Sequence, residues 1–172
     1  KKASRRELFY KGKRLDEFDL GATLLLSPTW VIVDELAHSN VPGSKHNKRY
    51  QDVLLLLERG IDVICACDVA QLESLHDVVT RVTGARVRDT ISDSFFKHAD
   101  QVISIDLDVE ELRERVRAGK VVPAEQAEAA LVGFFQARHL CTLRELMLRE
   151  TAESLERAVA AQSSSAASKK GW

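Results

Sequence analysis

Two adjacent carboxylates directly follow a short apolar run in the first quarter of the chain. The residues Val31, Ile32 and Val33 predict a buried strand, and Asp34 and Glu35 come immediately after it. A carboxylate at the end of such a strand can hold Mg²⁺, and a second acid beside it can orient or deprotonate a water molecule. The pair Asp34 and Glu35 is therefore a candidate cofactor-binding site, with Asp34 as the candidate metal ligand.

The polar loop after this pair offers two further candidates, His38 and Asn40. Ligands of open α/β sheets bind beyond the carboxyl ends of the strands, where this loop is expected to lie. His38 could exchange a proton near neutral pH, and Asn40 carries both a donor and an acceptor. The alternative is structural, because short polar side chains in turn-rich segments commonly satisfy backbone groups of their own loop.

A basic cluster closes the same loop, and it consists of Lys45, His46, Lys48 and Arg49. It could meet phosphate or the acidic surface of a partner. A solvated loop is the simpler interpretation, because a short charge run usually has that role.

The strings around these residues resemble a known family. DELAHSNVPGS at 34–44 and KRYQDV at 48–53 are similar to DELAHTNAPGS and KRWQDV in the cytoplasmic N-terminal domain of the KdpD potassium-sensing histidine kinases. GIDV at 60–63 and LESLHDVV at 72–79 are similar to that family's GIDV and LESLNDVV. Several distinctive strings thus occur in the right order.

The resemblance continues to the end of the domain. The segment from GKVVP at 119–123 to LREL at 143–146 looks like the family's closing helices, so that the likeness covers about residues 5–157. One departure is DVAQ at 68–71, where the family typically shows NVQH. If those side chains contact nucleotide, that contact is altered in this chain.

The resemblance implies an α/β fold with a three-layer parallel sheet, as in P-loop nucleotide hydrolases, in which Asp34 and Glu35 form a Walker B-like pair. The family's domain opens with a strand and a phosphate loop of the form GxxxxGK followed by Thr or Ser. No such loop occurs here, since neither Lys13 nor Lys120 is followed by Ser or Thr. The chain also begins with Lys1 rather than Met. We therefore expect a piece that is truncated before the Walker A loop and lacks the first strand.

The missing phosphate loop should weaken the binding of Mg-ATP. Backbone N–H groups of a phosphate loop, with its lysine, supply most of the positive charge around the β- and γ-phosphates. Two carboxylates without that charge repel a polyanion. We expect Mg-ATP to bind to the intact parent protein and not tightly to this segment, which by itself is not expected to be catalytic.

The family implies a cytoplasmic regulatory domain of a two-component sensor histidine kinase that controls potassium-transport genes. Expected partners are the other domains of the parent and, through them, a response regulator. The resemblance implies that the parent is anchored in the inner membrane by its membrane spans and also contains a kinase core. A degenerate protein-binding scaffold is one alternative. Another is part of a genuine Mg-ATP hydrolase, with Asp34 on Mg²⁺ and Glu35 as the base.

Composition adds limits on partners and domains. A net charge of −1 gives no argument for nucleic-acid binding. The longest apolar run, at 53–57, is far below the ~20 residues of a membrane-spanning helix, so no membrane contact of this segment is expected.

We expect one domain over 1–162 and a disordered tail over 163–172. The three cysteines, Cys65, Cys67 and Cys141, lack zinc-ligand spacing and are expected to be reduced core residues.

Hydrophobic periodicity predicts alternating strands and helices, which builds a parallel sheet. The expected strands are 8–10, 29–34, 62–67 and 101–106, and the expected helices are 15–26, 49–59, 72–82, one capped by Asp108, and a long one from Leu140. The charged positions of this last helix predict a solvated face. The alternative is that the helix forms a homodimer or leads into the next domain of the parent.

Overall fold

A computed structural model describes residues 5–168, apart from the side chains of 158 and 161–168. The chain is a mixed α/β protein that divides into two compact units. The first contains the described residues up to Gln71 together with Arg88–Ile91, and the second contains Leu72–Val87 and the described residues from Ser92 onward.

The first unit opens with an antiparallel hairpin. Strand β1 (Arg5–Tyr10) pairs with β2 (Lys13–Phe18), and Tyr10 lies opposite Lys13. The two turn residues, Lys11 and Gly12, have φ values of 49° and 75°. Left-handed backbone at both central residues is the turn geometry that matches the twist of paired strands.

The hairpin corrects the helix expected over 15–26. Residues 15–18 belong to β2, and helix α1 (Leu20–Leu26) begins only after Asp19. The Asp19 carboxylate accepts from the backbone N–H of Ala22 at 2.9 Å, so it caps the helix. Leucine and phenylalanine at 15 and 18 fit a helix by spacing alone, but pairing across the hairpin decides their conformation.

A parallel strand pair positions the candidate site. Strand β3 (Trp30–Val33) pairs in register with β4 (Asp62–Cys65). Helix α2 (Arg49–Glu58) lies between them in sequence, as a parallel connection requires. The buried side chains of β3 are Val31 and Val33. Trp30 and Ile32, on the opposite face of β3, are exposed.

The second unit is helical. Its elements are α3 (His76–Thr83), α4 (Val109–Arg117), α5 (Ala127–Val132) and α6 (Ala137–Ser168), with short 3₁₀ turns at Glu73–Leu75, Asp93–His98 and Ala124–Gln126. One part of its core brings Val116 of α4 against Ala127 and Leu131 of α5. Asp108 caps α4, since its carboxylate accepts from the N–H groups of Glu110 and Glu111 at 2.9 and 3.3 Å.

The strand expected over 101–106 is wrong, because this segment carries no strand pairing. Its apolar side chains Ile103 and Ile105 are 72% and 90% exposed, so alternation alone did not mark a sheet position. The segment is held instead by Arg144 of α6, whose Nε lies 2.8 and 3.0 Å from the two carboxylate oxygens of Asp106. The Arg144 guanidinium lowers the pKa of that carboxyl.

The cysteines are less buried than expected. All three are free; Cys65 at the end of β4 is partly buried, whereas Cys67 and Cys141 are exposed and so are not core residues. Burial raises the pKa of the Cys65 thiol to about 11, with a smaller contribution from Cys67. Cys65 is therefore a neutral thiol at physiological pH.

Two larger expectations concern the sheet and the end of the chain. The described strands form two two-stranded sheets, and the three-layer P-loop-like fold stays a prediction. The boundary at 162 and the disordered tail are likewise not tested as such: α6 runs to Ser168, and 169–172 lie outside the described residues. Every helix in the described part of the chain is too short or too polar to cross a bilayer.

Candidate functional site

The acidic pair lies at the carboxyl end of β3. Both Asp34 and Glu35 are exposed, and the Glu35 side chain retains 74% of its accessible surface. The Asp34 carboxylate accepts from the Glu35 backbone N–H at 2.8 Å. Glu35 itself has a left-handed backbone, with φ of 51°. This local turn places two carboxylates side by side in solvent.

Arg49, the first residue of α2, fixes the position of this pair. Its side chain is only 13% exposed, and its guanidinium donates from Nη1 to the Asp34 carbonyl oxygen at 3.1 Å and to a Glu35 carboxylate oxygen at 3.4 Å. A rigid guanidinium fork suits such simultaneous contacts better than a lysine would. Arg49 therefore orients Glu35 and leaves the Asp34 carboxylate open.

A buried glutamate lies behind this pair, and the sequence did not reveal it. Glu17 of β2 is 4% exposed and accepts from Nε2 of His38 at 2.8 Å and from the Val41 N–H at 3.3 Å. Nη2 of Arg49 lies 3.7 Å from its other carboxylate oxygen. His38 thus ties the loop to the hairpin through a buried carboxylate.

A second buried carboxylate organises the other half of the loop. Asp52 of α2 is 5% exposed and accepts from Asn40 Nδ2 and from His46 Nδ1, both at 2.7 Å. Asn40 Nδ2 also donates to the His46 carbonyl at 3.1 Å. The contacts of Asn40, like those of His38, are those of the structural alternative, and a nucleotide-sensing role for either residue stays a prediction.

The base of the loop is closed by paired backbone and by an ionic contact. Ser39 and Lys48 form an isolated antiparallel bridge. Both side chains also reach Asp89, which accepts from the Ser39 hydroxyl and from Lys48 Nζ at 3.2 Å. The Ser39 hydrogen bond, assisted by Lys48, lowers the pKa of the Asp89 carboxyl.

These contacts pair most side chains of the basic cluster with carboxylates. His46, Lys48 and Arg49 are each paired with a carboxylate of the first unit. Lys45 is exposed and takes part in no ion pair recorded within residues 5–168. The cluster is therefore mostly neutralised by its own unit and does not form a free cationic patch.

The acidic pair is open to solvent and is not set in a cavity. A cavity of about 260 Å³ lies beside the loop, and its walls include Glu17, Asn40 and Asp52 but neither Asp34 nor Glu35. Within residues 5–168 no three His, Cys, Asp or Glu side chains converge on a point suited to a metal. Mg²⁺ is commonly held by one or two carboxylates together with waters and substrate phosphates, and Asp34 suits that mode.

The sequence matches one family over most of its length. The family model described as "KdpD: Osmosensitive K+ channel His kinase sensor domain" matches residues 1–155. The chain is 48% identical over 163 residues to the sensor protein KdpD of Escherichia coli, an alignment that covers 95% of this chain. It is 45% identical over 139 residues to the sensor protein KdpD of Mycobacterium tuberculosis, which covers 81% of it.

The relatives are much longer proteins. This chain spans 18% of the Escherichia coli protein and 16% of the Mycobacterium tuberculosis protein. The matched part of the chain includes the acidic pair and the loop that follows it. On the extent of these matches, the chain belongs to the KdpD family of osmosensitive K+ channel histidine kinase sensor domains.

Proposed function

We propose that this chain is a cytoplasmic regulatory segment of a two-component sensor kinase that controls potassium-transport genes. Within it, Asp34 and Glu35 supply the acidic part of a magnesium-nucleotide site. Asp34 would hold Mg²⁺, and the metal would neutralise phosphate charge. In the longer parent, the nucleotide state would bias the output of the kinase core toward a response regulator, by favouring one of two conformations.

The observation that carries this proposal is the accessibility of the pair. Asp34 and Glu35 are exposed at the carboxyl end of a parallel strand, while the side chains around them are engaged in contacts that hold the loop. Arg49 reaches the Asp34 carbonyl and the Glu35 carboxylate and not the Asp34 carboxylate. Oδ1 of Asp34 accepts from the Glu35 N–H, so Oδ2 remains available. An accessible, oriented carboxylate is what a metal carrying phosphate needs.

The outer face of the parallel strand pair supports a site completed by another segment. Trp30, Ile32 and Ile64 are 56%, 64% and 60% exposed on that face. Parallel sheets in proteins are almost always covered on both faces, because their strands are apolar on both sides. The upstream segment of the parent would supply a strand, a phosphate loop and the helix that follows such a loop. The helix would cover this face, and the loop would bring cationic groups toward Asp34.

Calorimetric titration of Mg-ATP tests the proposal. We expect weak or no binding to this chain and saturable binding to a version extended upstream through its phosphate loop. In the extended chain, Asp34→Asn should weaken Mg-dependent binding about tenfold or more, because the metal loses a charged ligand. Asp16→Asn is the matched control, since Asp16 is an exposed acid of β2 and lies outside the β3–β4 strand pair.

Two results would contradict this assignment. Equally tight binding by the short and extended chains would show that the upstream loop is not needed. Unchanged binding of Mg-ATP by the Asp34→Asn variant would show that Asp34 is not part of the site.

A protein-binding scaffold is the second candidate function. Its support is that His38, Asn40 and Lys48 are already engaged with carboxylates of the first unit, namely Glu17, Asp52 and Asp89, and so are not free to contact nucleotide. Absence of Mg-ATP binding by either version would favour it.

A further inference from the structure

Two cysteines with one residue between them lie at the carboxyl end of β4. Cys65 is the last residue of β4 and pairs in register with Val33, the last residue of β3. The pairing extends one residue further, because the Ala66 N–H donates to the Val33 carbonyl at 2.9 Å. Alternate residues of an extended chain point to the same face. The thiols of Cys65 and Cys67 therefore lie on one side of the chain, with Cα atoms about 6.6 Å apart.

The two thiols also differ in their access to solvent. Both are free; Cys65 is partly buried, whereas Cys67 is exposed. Burial raises the pKa of the Cys65 thiol, and the charge of the Cys67 thiolate adds to this rise, which shows that the two sulfur atoms are close together. A ligand can thus approach through Cys67 and then reach the more protected sulfur of Cys65.

This spacing suits a soft metal ion better than a disulfide. A disulfide usually joins Cα atoms about 5.5–6 Å apart, so it would have to bend the chain between the two cysteines. An ion between the sulfur atoms replaces one sulfur–sulfur bond by two metal–sulfur bonds, and this longer bridge spans the extended chain.

The ligand type selects among metals. Thiolates favour soft cations such as Cu(I), whereas Mg²⁺ takes oxygen ligands. Structural zinc almost always takes four ligands, and two thiols supply only half of that number. Cu(I) is satisfied by two thiolates in a nearly linear arrangement. The pair of thiols therefore fits a soft monovalent cation.

The residue between the cysteines also holds the turn of the acidic pair. The Ala66 N–H donates to the carbonyl of Val33, and the Ala66 carbonyl accepts from the N–H of Leu36 at 3.3 Å. Val33 and Leu36 directly precede and follow the acidic pair in the sequence. The backbone of one residue thus joins both ends of that turn. A ligand that fixes the two cysteines also fixes the peptide groups between them.

We propose that Cys65 and Cys67 form a binding site for a soft monovalent cation of the Cu(I) class. Each thiol releases its proton to solvent as its sulfur binds the metal, so two protons leave for each ion bound and no electron is transferred. The bound ion restrains Ala66 and, through its two hydrogen bonds, the turn of the acidic pair. The site does not depend on the nucleotide function proposed above.

A competition titration against the Cu(I) chelator bicinchoninate, without oxygen and with a reductant present, tests the site. We expect the chain to withdraw one Cu(I) from the chelator. Cys65→Ser and Cys67→Ser should each weaken the binding about a hundredfold or more, because a hydroxyl is a poor ligand for a soft ion. Cys141→Ser is the matched control, since Cys141 is exposed and has no second cysteine near it in the sequence. Circular dichroism checks that the variants remain folded.

Three results would overturn the site. The first is a chain that withdraws no Cu(I) from the chelator. The second is a loss in Cys141→Ser as large as in the other two variants, which would indicate binding by any accessible thiol. The third is one ion for every two chains, with a dimer in sedimentation, because the two sulfur ligands would then come from different molecules.

Hydrogen exchange tests the link to the acidic pair. The Leu36 amide, which donates to the Ala66 carbonyl, should exchange several-fold more slowly when Cu(I) is bound. In Cys67→Ser, the same addition of Cu(I) should leave this exchange unchanged. Equal exchange in the free and the Cu(I)-bound wild-type chain would overturn the link.

Discussion

At the scale of single residues, the organisation of the loop depends on buried carboxylates that are remote in sequence from their partners. Glu17 contacts His38 and Val41 from another strand, and Asp52 contacts Asn40 and His46 from a helix. A buried carboxylate without its partners is strongly unfavourable, so each one holds the loop in place.

Replacing Glu17 by glutamine should destabilise the first unit. Glutamine keeps the size of the side chain but loses the charge that faces His38 and lies 3.7 Å from Arg49. We expect the free energy of unfolding to fall by about 2 kcal/mol, measured in urea by Trp30 fluorescence in a Trp172→Phe background.

The control for this change is the neighbouring Asp16→Asn in the same strand. Asp16 is exposed, so its replacement should alter stability by less than about 0.5 kcal/mol. Equal effects of the two substitutions would contradict the role given to the buried carboxylate.

The sequence predicted the acidic pair and missed its supports. A strand that ends in Asp34 and Glu35 is a local pattern, and the pair lies where that pattern indicated. Glu17 could not be found in this way, because it lies 21 residues from His38 along the chain and was taken as part of a helix. Contacts between residues that are distant along the chain produce no periodic pattern in the sequence.

At the scale of elements, local signals were reliable where a cap or a turn residue fixed the boundary. The N-cap role of Asp108 is confirmed, and α2 and the strand pair β3 and β4 lie within two residues of their predicted bounds. The helix expected over 15–26 was right only from Leu20 onward, and the strand expected over 101–106 was wrong, because pairing with another strand is a tertiary property.

Removing the Asp108 cap should destabilise the second unit modestly. Asp108→Ala leaves the N–H groups of Glu110 and Glu111 without their acceptor, which costs about 1 kcal/mol of unfolding free energy. Urea denaturation followed by far-UV circular dichroism measures this change.

Asp108→Asn should retain most of the cap, since asparagine caps helices about as well. Asp100→Ala is a further control, because Asp100 is an exposed acid outside any helix. A loss as large in either control would contradict the capping role.

At the scale of the whole molecule, the three-layer fold depends on what covers the outer face of β3 and β4. Trp30 on this face is 56% exposed, and the face also carries the exposed side chains of Ile32 and Ile64 and the acid Asp62, which pairs with Trp30. The three-layer arrangement predicted from family resemblance requires this face to be covered by chain that lies upstream in the parent.

Fluorescence quenching by acrylamide tests that requirement in a Trp172→Phe background. Trp30 should be quenched readily in this chain, and several-fold less in a chain extended upstream through the phosphate loop, because buried indole is shielded from the quencher. Leu25 provides a control, since Leu25→Trp in a Trp30→Phe background reports from another exposed site on the first unit, at 89% exposure. Unchanged quenching of Trp30 on extension would exclude the covered three-layer sheet.

The left-handed backbone at Glu35 has a consequence for how this chain balances stability against function. Glycine or asparagine would hold the same φ of 51° with less steric strain than glutamate does. The contact of the Glu35 carboxylate with Arg49, at 3.4 Å, involves a side chain that is 74% exposed, so it offsets little of this strain. A side chain that works against its own backbone conformation is typical of positions where stability has been given up for binding or catalysis. The role that we propose for the acidic pair would account for this strain at Glu35.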